Sequence, residues 1–380
     1  MQVALTPEQE MVRAMAREFA EGEVRPIAAE IDRDARFPHE TVKRMGELGL
    51  LGIMIPERYG GSGADAVSYV VAIEEVAKAC ASHAVVMSVN NSLFCEPIYK
   101  YGDSYQRERF VAPYASGQKI GCFALTEPQA GSDATNQNTL ATRDGDHYVV
   151  NGRKVFVTSG RESSAALVFC QTDRDQGHHG ISALVIEKGT PGFLVPKVED
   201  KLGLRASDTA EFVFEDCRVP VANRLGDEGM GFKIAMGSLD GGRIGIASQA
   251  LGIAAGAYEL AVAYARERKA FGVPIGRHQM VQWMLADMAT AIDAARLLTL
   301  RAACLKDRGQ PFGTEAAMAK LFASETAMKV TTDAVQVHGG YGFIKEYAVE
   351  RYFRDAKITQ IYEGTSQIQK LVIAREVLGA

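Results

Sequence analysis

Apolar and polar positions change their period twice along the chain. From Thr6 to about Gln118 apolar residues recur at three- and four-residue spacing, as in Met11, Met15, Ala16 and Phe19. That spacing predicts helices, punctuated by the 56–63 glycine/proline cluster and by Pro97. Thr6, Pro7 and Gln9 together predict a capped helix start. From Lys119 to about Val221 short runs rich in Val, Ile and Phe alternate with turns, which predicts strands at 120–125, 165–170, 182–186 and 210–214. Tyr148-Val149-Val150, then Asn151-Gly152, then 153–158 reads as a β-hairpin turning at Asn-Gly. From about Asp227 helical spacing returns, and Met284, Met288, Ala291, Ala295, Leu298 and Ala302 share one face. The expectation is an α+β, mainly α chain: a helical domain over 1–118, a compact β domain over 119–226 and a helix bundle over 227–380.

This order of elements opposes an alternating βαβ plan. Gly61-Ser62-Gly63-Ala64-Asp65-Ala66 fits G-x-G-x-x-A, but 81–85 holds no acidic residue at the required distance. A surface loop is the better reading there.

Bulk properties narrow the class. With 380 residues, 47% of them hydrophobic and 23% charged, the chain can bury a large shared core. A net charge of -5 gives no reason to expect nucleic acid, although local basic pockets could still hold phosphates. The six cysteines are scattered without a C-x-x-C pair, which argues against a disulfide framework or a zinc site and fits a reducing compartment. His178-His179 reads as an exposed hairpin tip with no third ligand at suitable spacing, so no metal is expected. The N-terminal ten residues lack an apolar signal core, and the weakly polar 244–258 stretch is too short to span a bilayer. A cytoplasmic protein without membrane insertion is the expectation.

Two segments carry candidate chemistry. In Leu125-Thr126-Glu127-Pro128-Gln129-Ala130-Gly131-Ser132-Asp133 a strand-like run stops at a proline and meets a Gly-Ser-Asp turn rich in donors. Pro128 sets its own φ and Gly131 permits close backbone approach, a combination that suits a flat polar ligand at a strand end. The bland alternative is an ordinary strand-to-loop corner. Near the C-terminus, Ile361-Tyr362-Glu363-Gly364-Thr365 offers one carboxylate beside a glycine. Alone, Glu363 reads evenly as a proton acceptor or as an acidic residue at a helix start.

Together these segments resemble the acyl-CoA dehydrogenase family, flavoenzymes that oxidise acyl-CoA thioesters to trans-2-enoyl-CoA. The resemblance runs nearly end to end. The segments 88–93, 119–125 and 243–252 are similar to the short-chain, butyryl-CoA-type branch. It implies a helical domain, a β-barrel-like middle domain and a C-terminal four-helix bundle. It also implies FAD as cofactor, a homotetramer and an electron-transferring flavoprotein as electron acceptor in fatty acid β-oxidation. Removing two hydrogens beside a thioester needs a base, donors for enolate-like charge and a hydride acceptor. By resemblance Glu363 is the base, Gly364 leaves room for the acyl chain, and the Glu363 N–H with a flavin hydroxyl holds the thioester oxygen.

Flavin contacts carried over from the family are Phe123, Ala124, Leu125, Thr126, Gly131 and Ser132, with Phe156, Val157 and Thr158 on the other side of the ring. Phe156 departs from the family, since many relatives have Trp there; it also reads as a hairpin core aromatic. Arg268, Phe271 and Gln279 are implied at the adenosine end, with Gln336, Val337, Gly339, Gly340, Thr365, Ser366 and Gln367 also near FAD and contributed by different subunits. Arg268 could otherwise be a solvated helix charge. Ser132, Asp240 and Arg243 are implied to meet substrate, the last two sharing a helix face where an internal salt bridge is the alternative. Relatives selective for branched chains place the base at the position that is Gly242 here, which leaves Glu363 alone in that role. His338 is expected to line the cofactor region structurally. Remaining alternatives are the same chemistry on a branched, dicarboxylic or alicyclic acyl-CoA, an acyl-CoA oxidase, or a non-catalytic binding relative.

Overall fold

The computed structural model describes residues 4–379; the start of the N-terminal run read above lies outside them. Helix α1 (Pro7–Phe19) begins with the reciprocal cap that its sequence predicts, Gln9 N–H donating to Thr6 Oγ1 at 3.3 Å and Thr6 N–H to Gln9 Oε1 at 2.9 Å. The Gln9 amide then donates to Asp65, whose carboxylate caps α2 (Ala66–Ala79). The helix α2 is buried nearly all round. After it, a π-helical turn, Val89–Cys95, carries two buried asparagines. The Asn90 amide donates to the Leu51 and Tyr114 carbonyls and accepts from Gly121 N–H, tying the helical region to the first strand. Asn91 does the same for Leu50, Met87 and Ile53.

The middle region is one eight-stranded sheet. Its strands are β1 (Gly121–Ala124), β2 (Leu140–Asp144), β3 (His147–Thr158), β4 (Ala165–Gln171), β5 (Ile181–Glu187), β6 (Phe193–Val198), β7 (Thr209–Pro220) and β8 (Arg224–Leu225). They run in the order β6-β7-β3-β2-β4-β5-β8, with β1 parallel to β4. Strands β4 and β5 are apolar on both faces because helices cover one side and the sheet core the other. His178 and His179 sit exposed in the β4–β5 connection.

The expected Asn151-Gly152 hairpin is not formed. Strand β3 passes straight through these residues with a register shift against β7. The Asn151 side chain exchanges hydrogen bonds with Asp216 at 3.0 and 2.8 Å. Gly152 lies against Thr139, where a Cβ would come within 2.6 Å of the main chain. The same residue pair thus serves a bulge, and the β2–β3 hairpin turns instead at Gly145-Asp146, with Gly145 at φ 62°.

The C-terminal region packs α3 (Gly231–Glu267), α4 (Gln279–Asp307) and α5 (Gly313–His338) side by side. Helix α6 (Val349–Thr359) packs on α3 and α5, and α7 (Ser366–Leu378) on α5. Their shared core is rich in alanine, which lets the axes approach closely. The 244–258 stretch is part of a much longer element than its apolar length suggests. Helix α3, at 37 residues, is long and apolar enough to cross a membrane by length and composition, yet 72% of its apolar window is buried inside the protein.

Candidate active site

Glu363 sits in the turn between α6 and α7, with φ 52°, followed by Gly364 at φ 90°. A left-handed non-glycine residue is strained unless its surroundings hold it. Here they do. The buried Gln369 amide donates to the carbonyls of Glu363 (3.2 Å) and Gly364 (2.9 Å), and buried Lys320 donates to Gly364 at 2.6 Å. The Tyr362 hydroxyl donates to Gln249, and the Gln249 amide to the Ala81 carbonyl at 2.8 Å. Thr365 caps α7 and the Ser366 hydroxyl donates to Glu325 at 2.8 Å.

The turn aims the Glu363 carboxyl into a cavity of about 190 Å³ where the three regions meet. Glu363 Oε2 is buried and, among the described residues, has no hydrogen-bond partner. Loss of water raises its pKa to about 7, opposed by the charges of Lys320 and Arg243. The carboxyl fits only because residue 242 is glycine: a Cβ there would lie 2.1 Å from Oε2. Among the described residues, the Glu363 N–H donates to no acceptor in the chain.

The opposite wall comes from the sheet. Phe123, Leu125, Thr126, Gly131, Ser132, Phe156 and Thr158 all line the cavity, as do Arg243, Tyr362 and Gly364. Ala124 and Val157 do not. Strand alternation turns both side chains into the buried core of the sheet. Phe156 is no core aromatic: it has φ 57° at an irregularity of β3 and is 66% exposed.

The corner at Leu125–Asp133 is held by a buried ion pair that sequence reasoning missed. Lys154 Nζ lies 2.7 Å from Glu127 Oε1, both essentially unexposed, and also donates to the Leu125 carbonyl and to Gln137 Oε1. Glu127 accepts in addition from the N–H groups of Asn138 and Thr139. Gly131 adopts no positive φ, and a Cβ there would meet nothing within 4 Å, so the protein itself makes no close approach at this glycine.

Asp240 and Arg243 form the internal ion pair offered as the alternative, at 2.5 Å. Arg243 still lines the cavity and keeps a buried, unpartnered Nε, whereas Asp240 lies outside the lining. Desolvation raises the Asp240 carboxyl, and Arg243 and Lys100 oppose it.

The adenosine-end group is not brought to this cavity within one chain. Arg268, Val337, Gly339 and Gly340 line a separate groove of about 460 Å³, with the Arg268 guanidinium 5.5 Å from the Tyr341 ring. His338 lines that groove structurally, stacked on Tyr264. Phe271 is 95% exposed at the tip of the Lys269–Ala270/Val273–Pro274 ribbon, and Gln279 and Gln336 are exposed on helices. Thr365, Ser366 and Gln367 stay outside the lining of the Glu363 cavity: the first two are committed to capping α7 and binding Glu325, and Gln367 faces outward. No cluster of metal-ligating side chains occurs among the described residues.

Some omissions had a readable signal. Lys320 interrupts an apolar stripe of Ala316, Ala319, Ala323 and Ala327 on α5, where a lysine has no path to solvent. Val89 and Leu93, which also line the cavity, are displaced towards it by the π-helical turn, and no spacing rule announces that turn.

A helical domain, a sheet and a helix bundle thus enclose a desolvated carboxyl facing a wall of hydroxyls and strand ends, an arrangement suited to proton abstraction beside a flat bound cofactor. The comparisons agree: residues 6–118, 122–217 and 229–378 match the acyl-CoA dehydrogenase N-terminal, middle and C-terminal domains, and the chain belongs to that family. It is 54% identical to the short-chain specific acyl-CoA dehydrogenase of Clostridium acetobutylicum over 99% of this chain and 100% of that one. Its fold is similar to the butyryl-CoA dehydrogenase of Megasphaera elsdenii (TM-score 0.98, 47% identity, 100% of both chains). It is also similar to a chain solved with work on the electron transferring flavoprotein of Acidaminococcus fermentans, towards a mechanism of flavin-based electron bifurcation (TM-score 0.99, 51% identity, 100% of both). The family is one of FAD-dependent oxidoreductases. The residues present fit that cofactor: the hydroxyls of Thr126, Ser132 and Thr158 all line the cavity, and among the described residues none has a hydrogen-bond partner in the chain.

Proposed function

We propose that this protein oxidises short-chain acyl-CoA to trans-2-enoyl-CoA with Glu363 as the α-proton base. One observation carries the assignment of the base: a carboxyl whose Oε2 is buried and, among the described residues, unpartnered, aimed into the cavity from a turn that polar side chains hold from three sides. Bound FAD would supply the acceptor for the hydride leaving the β-carbon. The chain's own residues do the rest. Glu363, with a pKa near 7, is half ionised at neutral pH and accepts the α-proton at its carboxylate. Its free N–H donates to the thioester oxygen as charge builds there, an interaction of about 3 kcal/mol in comparable sites. Arg243, which lines the cavity and has an unpartnered Nε among the described residues, is the side-chain cation we assign to the substrate's polar arm, and Asp240 orients it.

Val89 and Leu93 close the cavity on the helical side. The sheet wall that includes Phe123, Leu125, Thr126, Gly131, Ser132, Phe156 and Thr158 would hold the flavin ring. Arg268, Phe271, Gln279 and 336–340 would serve the adenosine end in a neighbouring subunit. That reading requires an oligomer, which we assign as a homotetramer, and the exposed Phe271, Met280, Trp283 and Phe343 supply apolar surface for it. An electron-transferring flavoprotein is the acceptor we assign, with Phe156 at the exposed edge of the cavity, and the site of action we assign is the cytoplasm. Anaerobic mixing with butyryl-, isobutyryl-, glutaryl- and octanoyl-CoA tests the substrate: butyryl-CoA should bleach the flavin fastest. Preferential bleaching by another thioester would replace the short-chain assignment, and peroxide release in air would indicate an oxidase.

A further inference from the structure

Lys320 is a lysine with 0% exposure in the N-terminal half of α5, and among the described residues its ammonium has a single hydrogen-bond partner, the Gly364 carbonyl at 2.6 Å. An ammonium carries three donors, and burying one with a single neutral acceptor is costly. Such an arrangement has to be held in place by something else in its field. The charged groups that face it come from each element packed around it: Glu363 from the turn, Arg243 from α3 and Glu325 from its own helix. Glu325 is engaged by the Ser366 hydroxyl, and Arg243 by Asp240. That leaves the unpartnered Glu363 carboxyl as the uncommitted negative group. The carbonyl that Lys320 grips belongs to the residue directly after Glu363, in a turn with two consecutive positive φ values.

We propose that Lys320 is a positioning residue for the base: its ammonium pins the Gly364 carbonyl, keeps Glu363 in the left-handed conformation that aims its carboxyl into the cavity, and supplies the positive charge opposite that carboxyl. This rests on the assignment of Glu363 as base. The titration of the two groups agrees with it. Desolvation brings Lys320 down to about 8 against the opposing charge of Glu363, and Lys320 is the largest influence opposing the rise of Glu363. Tyr362, on the other side of Glu363, contributes no charge to the pair, since burial raises its pKa and keeps its hydroxyl neutral.

The test uses the FAD-loaded enzyme and two variants. Lys320→Met removes both the hydrogen bond and the charge; Lys320→Gln keeps a donor for the Gly364 carbonyl and removes only the charge. The first readout is the anaerobic flavin-bleaching rate with butyryl-CoA across pH. The second, independent of activity, is the pH titration of the protonated-carboxyl infrared band that is missing from Glu363→Gln. Removing a neighbouring positive charge makes the carboxyl harder to ionise. Both midpoints should therefore move up by about one pH unit in both variants. Lys320→Met should also lose about tenfold in limiting rate, with KM changed less than about threefold, and Lys320→Gln should recover part of that rate. Midpoints unchanged in Lys320→Gln overturn the proposal, and that variant decides should Lys320→Met not fold. A Glu363→Gln enzyme that bleaches normally overturns the base assignment instead, so the two failures are distinguishable.

Discussion

A single methyl group at position 242 should disable this enzyme without unfolding it. In the structure a Cβ on Gly242 lies 2.1 Å from Glu363 Oε2, 3.0 Å from the carboxyl carbon and 3.0 Å from Leu93 Cδ2. Ordinary van der Waals contact begins at 3.4 Å, so Gly242→Ala forces the carboxyl oxygen back by more than about 1 Å. The atom that must yield is the end of a flexible side chain facing a cavity, so accommodation costs little stability. The chemistry is less forgiving, because a displacement of about 1 Å at the reacting groups can cost about 10²-fold in rate. That factor corresponds to about 2.7 kcal/mol of lost transition-state stabilisation. The assay is stopped-flow flavin bleaching by butyryl-CoA under anaerobic conditions, paired with a thermal melt and an FAD content measurement. The expected result is a bleaching rate lower by about 10²-fold, with FAD content retained and Tm within a few degrees of the parent. A Gly242→Ala enzyme that bleaches at the parent rate would show that the carboxyl does not work from beside α3, and the geometric argument would fail.

Other consequences follow from the same structure. Glu363→Gln should keep bound FAD and lose at least about 10²-fold in bleaching rate, measured on the same instrument. Because the folded pKa of Glu363 is raised from 4.5 to about 7, its contribution to stability is fully present below 4.5 and is lost as pH rises through 7. Denaturant titrations should therefore show Glu363→Gln gaining on the parent by up to about 3 kcal/mol between those limits, and a constant difference across pH would contradict the burial of the charge. Bleaching by the parent should rise with pH through about 7, since only the ionised carboxyl accepts a proton. Arg268→Ala should release FAD on dialysis, because a phosphate partner in the second groove is gone, and retention at the parent level would remove Arg268 from the cofactor site. Lys154→Met should lower stability by about 3–5 kcal/mol by stranding buried Glu127, which a denaturation curve would reveal.

The sequence exposed some of this and concealed the rest for identifiable reasons. The cap at Thr6 and the strands β4 and β5 follow from local rules, and each formed where the pattern put it. Tyr362-Glu363-Gly364 is legible as a candidate base, and the structure adds how its carboxyl is accommodated: Gly364 takes φ 90° and Gly242 clears the space. Asn151-Gly152 misled because a bulge and a hairpin turn ask for the same residues, and only the distant Asp216 and Thr139 decide between them. Lys154 and Lys320 were passed over because periodicity treats lysine as a surface residue, while both are buried on partners remote in sequence. Arg268 and the 336–340 segment were grouped with the flavin by resemblance; in one chain they form their own groove, so geometry within the protomer does not join the two sites.

The role of Glu363 can be observed directly, apart from any later electron transfer. Butyryl-CoA labelled with deuterium at the α-carbon, incubated anaerobically with catalytic FAD-loaded enzyme in ordinary water, reports proton removal and return by mass. The parent enzyme should wash the label out, while Glu363→Gln, with its flavin still bound, should leave it in place. Washout by that variant at the parent rate would mean that another group takes the proton.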